Sequence, residues 1–340
     1  KNTRLLYLAP LKNETMRLNK YFLAGIALTG LIFTSCDDDD DGTVDPIELR
    51  DEQEQRTADD DSLVEYLQTH FYNYEEFENP AADFDYNIVF DTIAGENSDK
   101  VSIWESPNFS TKTVAYQANE TELDYNLYLL EVREGAGEQP HFSDSTYVRY
   151  KGELINAEVF DNSINSPVWF DLEGFVGIQS DGSLVRRGGV VEAFQQALIE
   201  FRGASNYSVN PDNTVEWSND YGIGALFAPS GLGYFNGTSP GYGYSPLIFT
   251  FHLLNVNEAD HDGDGIPSWM EDIDGDGSLF DDDSDEDGLP DHSDTDDDGD
   301  GLPTRQEIII NADGSLTFPD TNNNGTPNYL DADSFEPVED

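Results

Sequence analysis

Apolar and polar residues change rhythm several times along this chain, and each change marks a different kind of element. Residues 125–132 and 146–154 alternate as strands do, with a turn signal from Glu134 to Gly137 between them. Val190, Val191, Phe194, Ala197, Leu198 and Phe201 then fall near helical spacing. Residues 247–254 return to alternation. Leu247, Phe249, Phe251 and Leu253 lie on one side of that strand and Ile248, Thr250 and His252 on the other, so His252 is expected on the solvent side. Several antiparallel strands about one short helix predict an α+β fold for residues 124–257.

Upstream, residues 61–123 read as a helix followed by short strands. Ser62-Leu63-Val64-Glu65 has the form of a capping box, and Leu63, Tyr66, Leu67, His70, Phe71 and Tyr74 recur at helical spacing, which predicts a helix to about Phe77. His70 lies on the apolar stripe and reads as a packed side chain. Strand-like runs follow at residues 86–93 and 113–118, separated by Gly95, Asn97 and Pro107. This region is expected to pack onto the central domain.

The first apolar run, residues 21–33, follows Arg17 and Lys20 and leads to Thr34, Ser35 and Cys36, the only cysteine. At about 1.5 Å per residue it is too short to span a hydrocarbon core of about 30 Å. Residues 1–35 therefore read as a signal peptide, with translation starting at Met16 and an upstream extension before it. Thr34 and Ser35 before Cys36 resemble a bacterial lipobox, with Phe33 where Leu is commonest. That resemblance implies a lipid on Cys36, membrane attachment through it, and a place in the cell envelope at the outer membrane or cell surface. The other reading of Cys36 is a buried free thiol. Residues 36–60, opening on Asp37 to Asp41, read as a lipid anchor and acidic tether, because adjacent like charges resist collapse.

Charge sharpens the division of the chain. The 340 residues carry 70 Asp and Glu against 16 Lys and Arg, a formal net charge of -54. A surface of that sign repels phosphate, so nucleic acid is excluded as a partner. The acid concentrates after residue 257, where D-x-D-x-D-G recurs. Asp260, Asp262, Asp264, Gly265 and Glu271 occupy positions 1, 3, 5, 6 and 12 of a calcium loop, and Asp296, Asp298, Asp300, Gly301 and Glu307 repeat the spacing. Three variants close on Asp: Asp272, Asp274, Asp276 and Gly277 on Asp283; Asp283, Asp285, Asp287 and Gly288 on Asp294; and Asp320, Asn322, Asn324 and Gly325 on Asp331. Hard oxygen ligands at alternate positions surround a cation only if the chain turns sharply, and glycine at position 6 permits that turn. A register starting at Asp294 would put Arg305 at position 12, where a cation is repelled; starting at Asp296 puts Glu307 there.

Pro267, Pro290, Pro303 and Pro327 stand at position 8, where paired EF-hands donate a strand hydrogen bond that proline lacks. The tail instead resembles thrombospondin type 3 repeats, which implies structural calcium in residues 258–340 and an extended chain without it. A solvated acidic linker is the other reading.

The central domain also carries a recognisable series: Tyr150 and Gly152, the pair Phe160-Asp161, Phe170 and Leu172, Val190 and Val191, Tyr234 after P-S-G-L-G, and Phe249 in P-L-I-F. In this order they resemble the FKBP-type peptidyl-prolyl cis-trans isomerases over residues 124–257. The resemblance implies an antiparallel sheet wrapped on a short helix and an apolar bowl lined by Tyr150, Phe160, Val191, Phe194 and Phe249. It also implies that Asp161 and the Tyr234 hydroxyl orient substrate carbonyls, with the Val191 amide as a further donor and no catalytic cofactor. Proline-containing exported polypeptides would be the partners. Phe170 and Leu172 read as core.

Four features depart from the family pattern. Phe194 stands where the floor is usually Trp, and Val168 replaces an aromatic that neighbouring Trp169 is expected to supply. Insertions fall at residues 173–189 and 205–221, and the lip reads G-Y-G-Y at residues 241–244. The five histidines, His70, His141, His252, His261 and His292, have no metal-type spacing, and no G-x-S-x-G elbow exists. Two functions remain: an isomerase assisting exported proteins to fold, and a non-catalytic FKBP-like binding module on a calcium-stiffened surface lipoprotein.

Overall fold

The alternating stretches become strands of a seven-stranded antiparallel sheet in the computed structural model of the chain, which describes residues 49–118, 121–180, 183–237, 243–335 and 337–338. In chain order the elements are helix α1 (Glu52–Thr69), β1 (His70–Tyr72), helix α2 (Tyr74–Glu78), β2 (Phe90–Thr92), β3 (Phe109–Gln117), β4 (Glu122–Arg133), β5 (Ser145–Leu154), β6 (Val159–Asn162), β7 (Val168–Asp171), β8 (Phe175–Ile178), β9 (Leu184–Arg187), helix α3 (Glu192–Leu198), β10 (Tyr207–Val209), β11 (Val215–Trp217), β12 (Gly222–Ala228), β13 (Leu247–Asn257), β14 (Ile309–Ile310) and β15 (Leu316–Thr317). The expected signal peptide, the lipobox and Cys36 lie outside the described residues, as do Gly241 and Tyr242 of the lip. Among the described residues no helix is long and apolar enough to cross a membrane.

The sheet runs in the order β3-β4-β12-β13-β5-β6, and β7 pairs with β5 beside β6. The edge next to β5 is thus shared: Lys151 to Glu153 pair with β6, and Ser145 to Val148 pair with β7. One face of the sheet receives α3. Tyr125, Leu127 and Leu129 of β4, Leu226 and Ala228 of β12, and Phe249, Phe251 and Leu253 of β13 meet Ala193, Phe194, Ala197, Leu198 and Phe201 there. The opposite face is covered by the N-terminal segment. Leu63, Leu67, Tyr72, Ile88 and Ile103 pack on Tyr128, Leu130, Ile223, Phe227, Ile248 and Leu254.

This second layer explains one observation and corrects two expectations. β12 is buried at every residue because both of its faces are covered, as in a central strand of a layered fold. His252 is 4% exposed rather than solvent-facing: its Nε2 lies 2.9 Å from the Tyr86 carbonyl, and burial pushes its pKa down to about 4, so it stays neutral. The boundary at residue 124 cuts the sheet, since β3 pairs along β4 from Phe109 to Gln117.

The N-terminal helix is also displaced from its expected place. Asp51, not Ser62, caps it, accepting from the Glu54 amide at 2.8 Å, so residues 52–60 are helix rather than tether. Ser62 sits mid-helix, with its hydroxyl donating to the Ala58 carbonyl. The helix ends at Thr69, and His70 begins β1 with its ring stacked on Tyr66 at 3.8 Å, a packed side chain as expected. The two insertions are hairpins, β8–β9 and β10–β11. In the tail, Ile266, Ile308 and Tyr329 form a small core with Met270, Leu316, Phe318 and Leu330 against it.

Candidate functional site

The fold brings most of the expected bowl together. Tyr150 comes from β5, Asp161 from β6, Phe170 from β7, Val191 and Phe194 from the start of α3, Phe249 from β13, and Tyr234 from the loop after β12. Together with Gly188, Gly189 and Val190 they line a cavity of about 360 Å³. Phe194 is the floor, with Phe249 at 5.3 Å and Tyr150 at 5.9 Å in edge-on contact. Phe160, expected in the lining, is not among the residues that line this cavity; it packs against two that do, its ring at 89° to Phe249 and 6.3 Å from Tyr234. Gly152 makes that packing possible, because a Cβ there would meet the Phe160 ring at 2.6 Å and Phe249 at 2.9 Å.

Phe170 lines the cavity instead of belonging only to the core, because β7 sits beside β6 on the same edge and turns Phe170 toward Tyr150 at 5.3 Å. Leu172 is fully buried, as expected of core. Trp169 does not supply the missing aromatic. It is 49% exposed and packs on Tyr147, since neighbours in a strand face opposite ways.

The polar atoms are few. The Tyr150 hydroxyl donates to Asp161 Oδ2 at 2.5 Å. Burial, and then the Asp161 bond, push the Tyr150 hydroxyl well above its ordinary range, so it remains a donor at any biological pH. The Val191 amide donates to no group among the described residues. Such a site holds oriented dipoles in an apolar bowl. It can receive a small apolar ring and turn polar groups toward what flanks it.

Residues that the sequence did not reveal support the bowl. Asp59 of α1, 2% exposed, accepts from the Ser230 amide at 2.8 Å and its hydroxyl at 2.5 Å, fixing the turn that leads to Tyr234. Gln55 donates to Asp59 Oδ1 at 2.7 Å and to the Tyr244 carbonyl at 3.2 Å, while Arg50 lies 4.5 Å from the Tyr244 ring. On the other side, Glu173 is buried beneath the β8–β9 hairpin, paired with Arg186 at 3.2 Å and accepting from Gln195 of α3 at 2.7 Å. No local pattern marks Asp59 or Gln55, because Ser230 and Tyr244, which they hold, are distant in sequence.

In the tail, all five loops share one scaffold. The position 6 amide donates to a carboxylate oxygen at position 1 over 2.9–3.2 Å in each, from Gly265 to Asp260, Gly277 to Asp272, Gly288 to Asp283, Gly301 to Asp296 and Gly325 to Asp320. All five glycines have positive φ, between 87° and 103°, which explains the fixed residue. The prolines at position 8 each start a short 3₁₀ turn. Four of the loops share a further bond that the spacing does not announce: the position 2 amide donates to the position 9 side chain, from His261 to Ser268, Ser284 to Asp291, Asp297 to Thr304 and Thr321 to Asn328.

Carboxylate oxygens of Asp272, Asp274 and Asp276, of Asp283, Asp285 and Asp287, and of Asp296, Asp298 and Asp300 gather within 4.8 Å in each group. Glu307 lies beside the last group and Asp294 beside Asp285 and Asp287, as the spacing implies. Asn322 and Asn324 both reach Asp331, at 2.6 and 2.9 Å. The second loop departs from expectation. Asp282, one residue before Asp283, is the buried carboxylate beside Asp272 and Asp274, and Asp283 accepts from Gly288 in the third loop.

Burial, then neighbouring carboxylates, push Glu307 up to about 8. Both Glu307 oxygens are buried without a partner among the described residues, as are single oxygens of Asp298 and Asp300. Orphaned, mutually repelling, all-oxygen groups fit a hard divalent cation, and irregular clusters of this size suit calcium.

The family model described as BamM C-terminal matches residues 261–319, within this tail. The chain is also 31% identical over 87 residues to the FKBP-type peptidyl-prolyl cis-trans isomerase FkpA of Escherichia coli K12, covering 25% of this chain and 32% of that protein. The FkpA proteins of E. coli O6:H1 strain CFT073 and O157:H7 match to the same extent. The chain therefore spans about a third of the length of these curated relatives. This partial similarity supports an FKBP-type isomerase-like domain.

Among solved structures, E. coli FkpA overlaps 39% of this chain and 48% of its own at 27% identity with a TM-score of 0.29. A peptidyl-prolyl isomerase from Pseudomonas syringae overlaps 39% and 76% at 21% identity with a TM-score of 0.28. The three FKBP domains of wheat FKBP73 give 0.26 at 14% identity, over 38% and 46% of the two chains. Scores this low add no weight to the sequence match.

Proposed function

We propose that residues 49–257 form a peptidyl-prolyl cis-trans isomerase of the FKBP type, acting on proline-containing segments of exported polypeptides in a bacterial cell envelope. Its tail holds structural calcium, and lipid on Cys36 attaches it to the outer membrane or cell surface. The observation that carries the enzymatic reading is the pair Tyr150–Asp161 at the mouth of an aromatic bowl floored by Phe194 and Phe249. The barrier to prolyl rotation is about 18–20 kcal/mol because the planar amide is resonance-stabilised. A site that binds the twisted amide more tightly than the planar one lowers it. In this reading the bowl seats the proline ring, and Asp161, Tyr234 and the Val191 amide are the polar groups that favour the twisted form. The resemblance to FkpA, and the tail's match to the BamM C-terminal model, support the envelope assignment.

A binding module without turnover is the second reading. It is favoured by Phe194, which offers less floor than an indole and no N–H, and by the anchoring of Tyr244 at the lip through Arg50 and Gln55. Isomerisation of a proline tetrapeptide by the full chain, compared with Asp161→Ala and Tyr234→Phe, separates the two. The enzymatic reading expects each substitution to lower kcat/KM about ten-fold, the loss of roughly one polar interaction in the transition state. Peptide binding with the uncatalysed rate in all three proteins leaves only the binding reading.

A further inference from the structure

The first acidic loop gathers its carboxylates differently from the others. Asp262, Asp264 and Glu271 lie with their oxygens within 4.8 Å of one another and of Asp297, which belongs to the fourth loop. Asp260, the expected first ligand, lies outside this group and accepts from the Gly263 and Gly265 amides at 2.8 and 3.2 Å.

Asp297 stands at position 2 of its own repeat. Positions 1, 3 and 5 turn inward to their own loop, so position 2 is free to face a neighbour. Its backbone is held by its own repeat, the amide N–H donating to Thr304 Oγ1 at 3.2 Å. The residues at position 2 elsewhere are His261, Ile273, Ser284 and Thr321, so among the five loops a carboxylate occurs at this position in the fourth alone.

The group is buried and its acceptors are unsatisfied. Glu271 and Asp297 are each 1% exposed, and all four of their carboxylate oxygens lack a hydrogen-bond partner among the described residues. Asp262 and Asp264 each spend Oδ1 on a loop amide, Asp264 and Ile266 respectively, and leave Oδ2 buried and orphaned. Four carboxylates confined in this way, with no donor to share, are stable only with a counter-charge among them. Six orphaned oxygens from four hard ligands match what calcium takes. The small core of Ile266, Ile308 and Tyr329 likewise brings the first repeat against the end of the fourth, together with the fifth.

We propose that Asp262, Asp264, Glu271 and Asp297 form one calcium-type site shared by the first and fourth repeats, which closes the tail on itself. This rests on the reading of the tail as calcium-binding. The first repeat is also seated on the sheet domain: the Ala259 amide donates to Asp144 at 3.1 Å, the His261 ring lies 3.2 Å from Asp171, and Trp269 stacks on His141 at 4.2 Å. The shared cation thereby fastens the later repeats to the domain through the first.

The test is calcium titration calorimetry on the full chain, stripped of metal with a chelator, for the wild type, Asp297→Asn, Glu271→Gln and the double variant. Thermal unfolding of the sheet domain serves as the folding control. Wild type is expected to bind several calcium ions. Each single variant should weaken one site at least ten-fold, and the double variant should lose the same single site and no other, because both side chains serve one ion. Two sites lost in the double variant, or unchanged binding in Asp297→Asn, overturns the shared site and leaves the calcium tail standing. A wild type that binds no calcium overturns both.

Discussion

Asp59 shows how a single buried carboxylate sets the geometry of a distant site. It holds the Ser230 amide and hydroxyl from across 171 residues of sequence, and the turn it fixes leads to Tyr234. Asp59→Ala strands a buried amide and a buried hydroxyl, at about 1–3 kcal/mol for each unsatisfied group. Denaturant unfolding of residues 49–340 is expected to show a loss of that order, together with a raised KM for peptide as Tyr234 loses its support. Unchanged stability and KM would mean that the turn holds itself. The contrast with Tyr150 and Asp161 explains what the sequence discloses at this scale. Those two sit eleven residues apart on paired strands, so a short pattern contains both. Asp59 lies in an acidic run that looks solvated, and only the chain's return brings Ser230 to it. Phe170 departs from its core assignment for a related reason, since strand alternation assigns a face and not whether a cavity opens on that face.

At the scale of elements, the strands were legible and their surroundings were not. β4, β5 and β13 fall where alternation puts them, and α3 where the helical spacing does. A pattern within one strand cannot say what covers its second face. Tyr128, Leu130, Ile223, Phe227, Ile248 and Leu254 depend on the N-terminal segment, and β3 supplies the edge next to β4. A fragment of residues 124–257 would expose all six side chains, at roughly 1.5–3 kcal/mol for each fully buried one. Circular dichroism and proton–nitrogen spectra are therefore expected to show that fragment unfolded or aggregated and residues 49–257 folded. A cooperatively folding 124–257 fragment would contradict the two-layer account. The start of α1 is not legible because Ser62 to Glu65 imitates a cap in the middle of a longer helix, whose own cap at Asp51 lies among acids.

For the whole molecule, a net charge of -54 is tolerable only if its densest part is neutralised or solvated. The loop spacing could be read from D-x-D-x-D-G because each loop is local. The approach of the fourth repeat to the first, and Asp282 beside the second loop, could not, because both arise from how the repeats fold back. Removal of calcium with a chelator should let the buried carboxylates repel, opening the tail to protease beyond Glu258 while residues 49–257 stay protected. Arg186 of the β8–β9 hairpin lies 5.0 Å from the Phe280 ring of the tail, so the hairpin beside the bowl should lose a contact as well. Identical digestion with and without calcium would contradict the calcium reading.

The central claim is that the bowl turns over a prolyl bond, and exchange spectroscopy of a proline tetrapeptide with residues 49–340 at equilibrium tests it most directly. The account predicts cis-trans exchange cross-peaks at mixing times of a second or less, far faster than the tens to hundreds of seconds of the free peptide, and weakened in Asp161→Ala. Exchange at the free-peptide rate while the peptide is bound would contradict it.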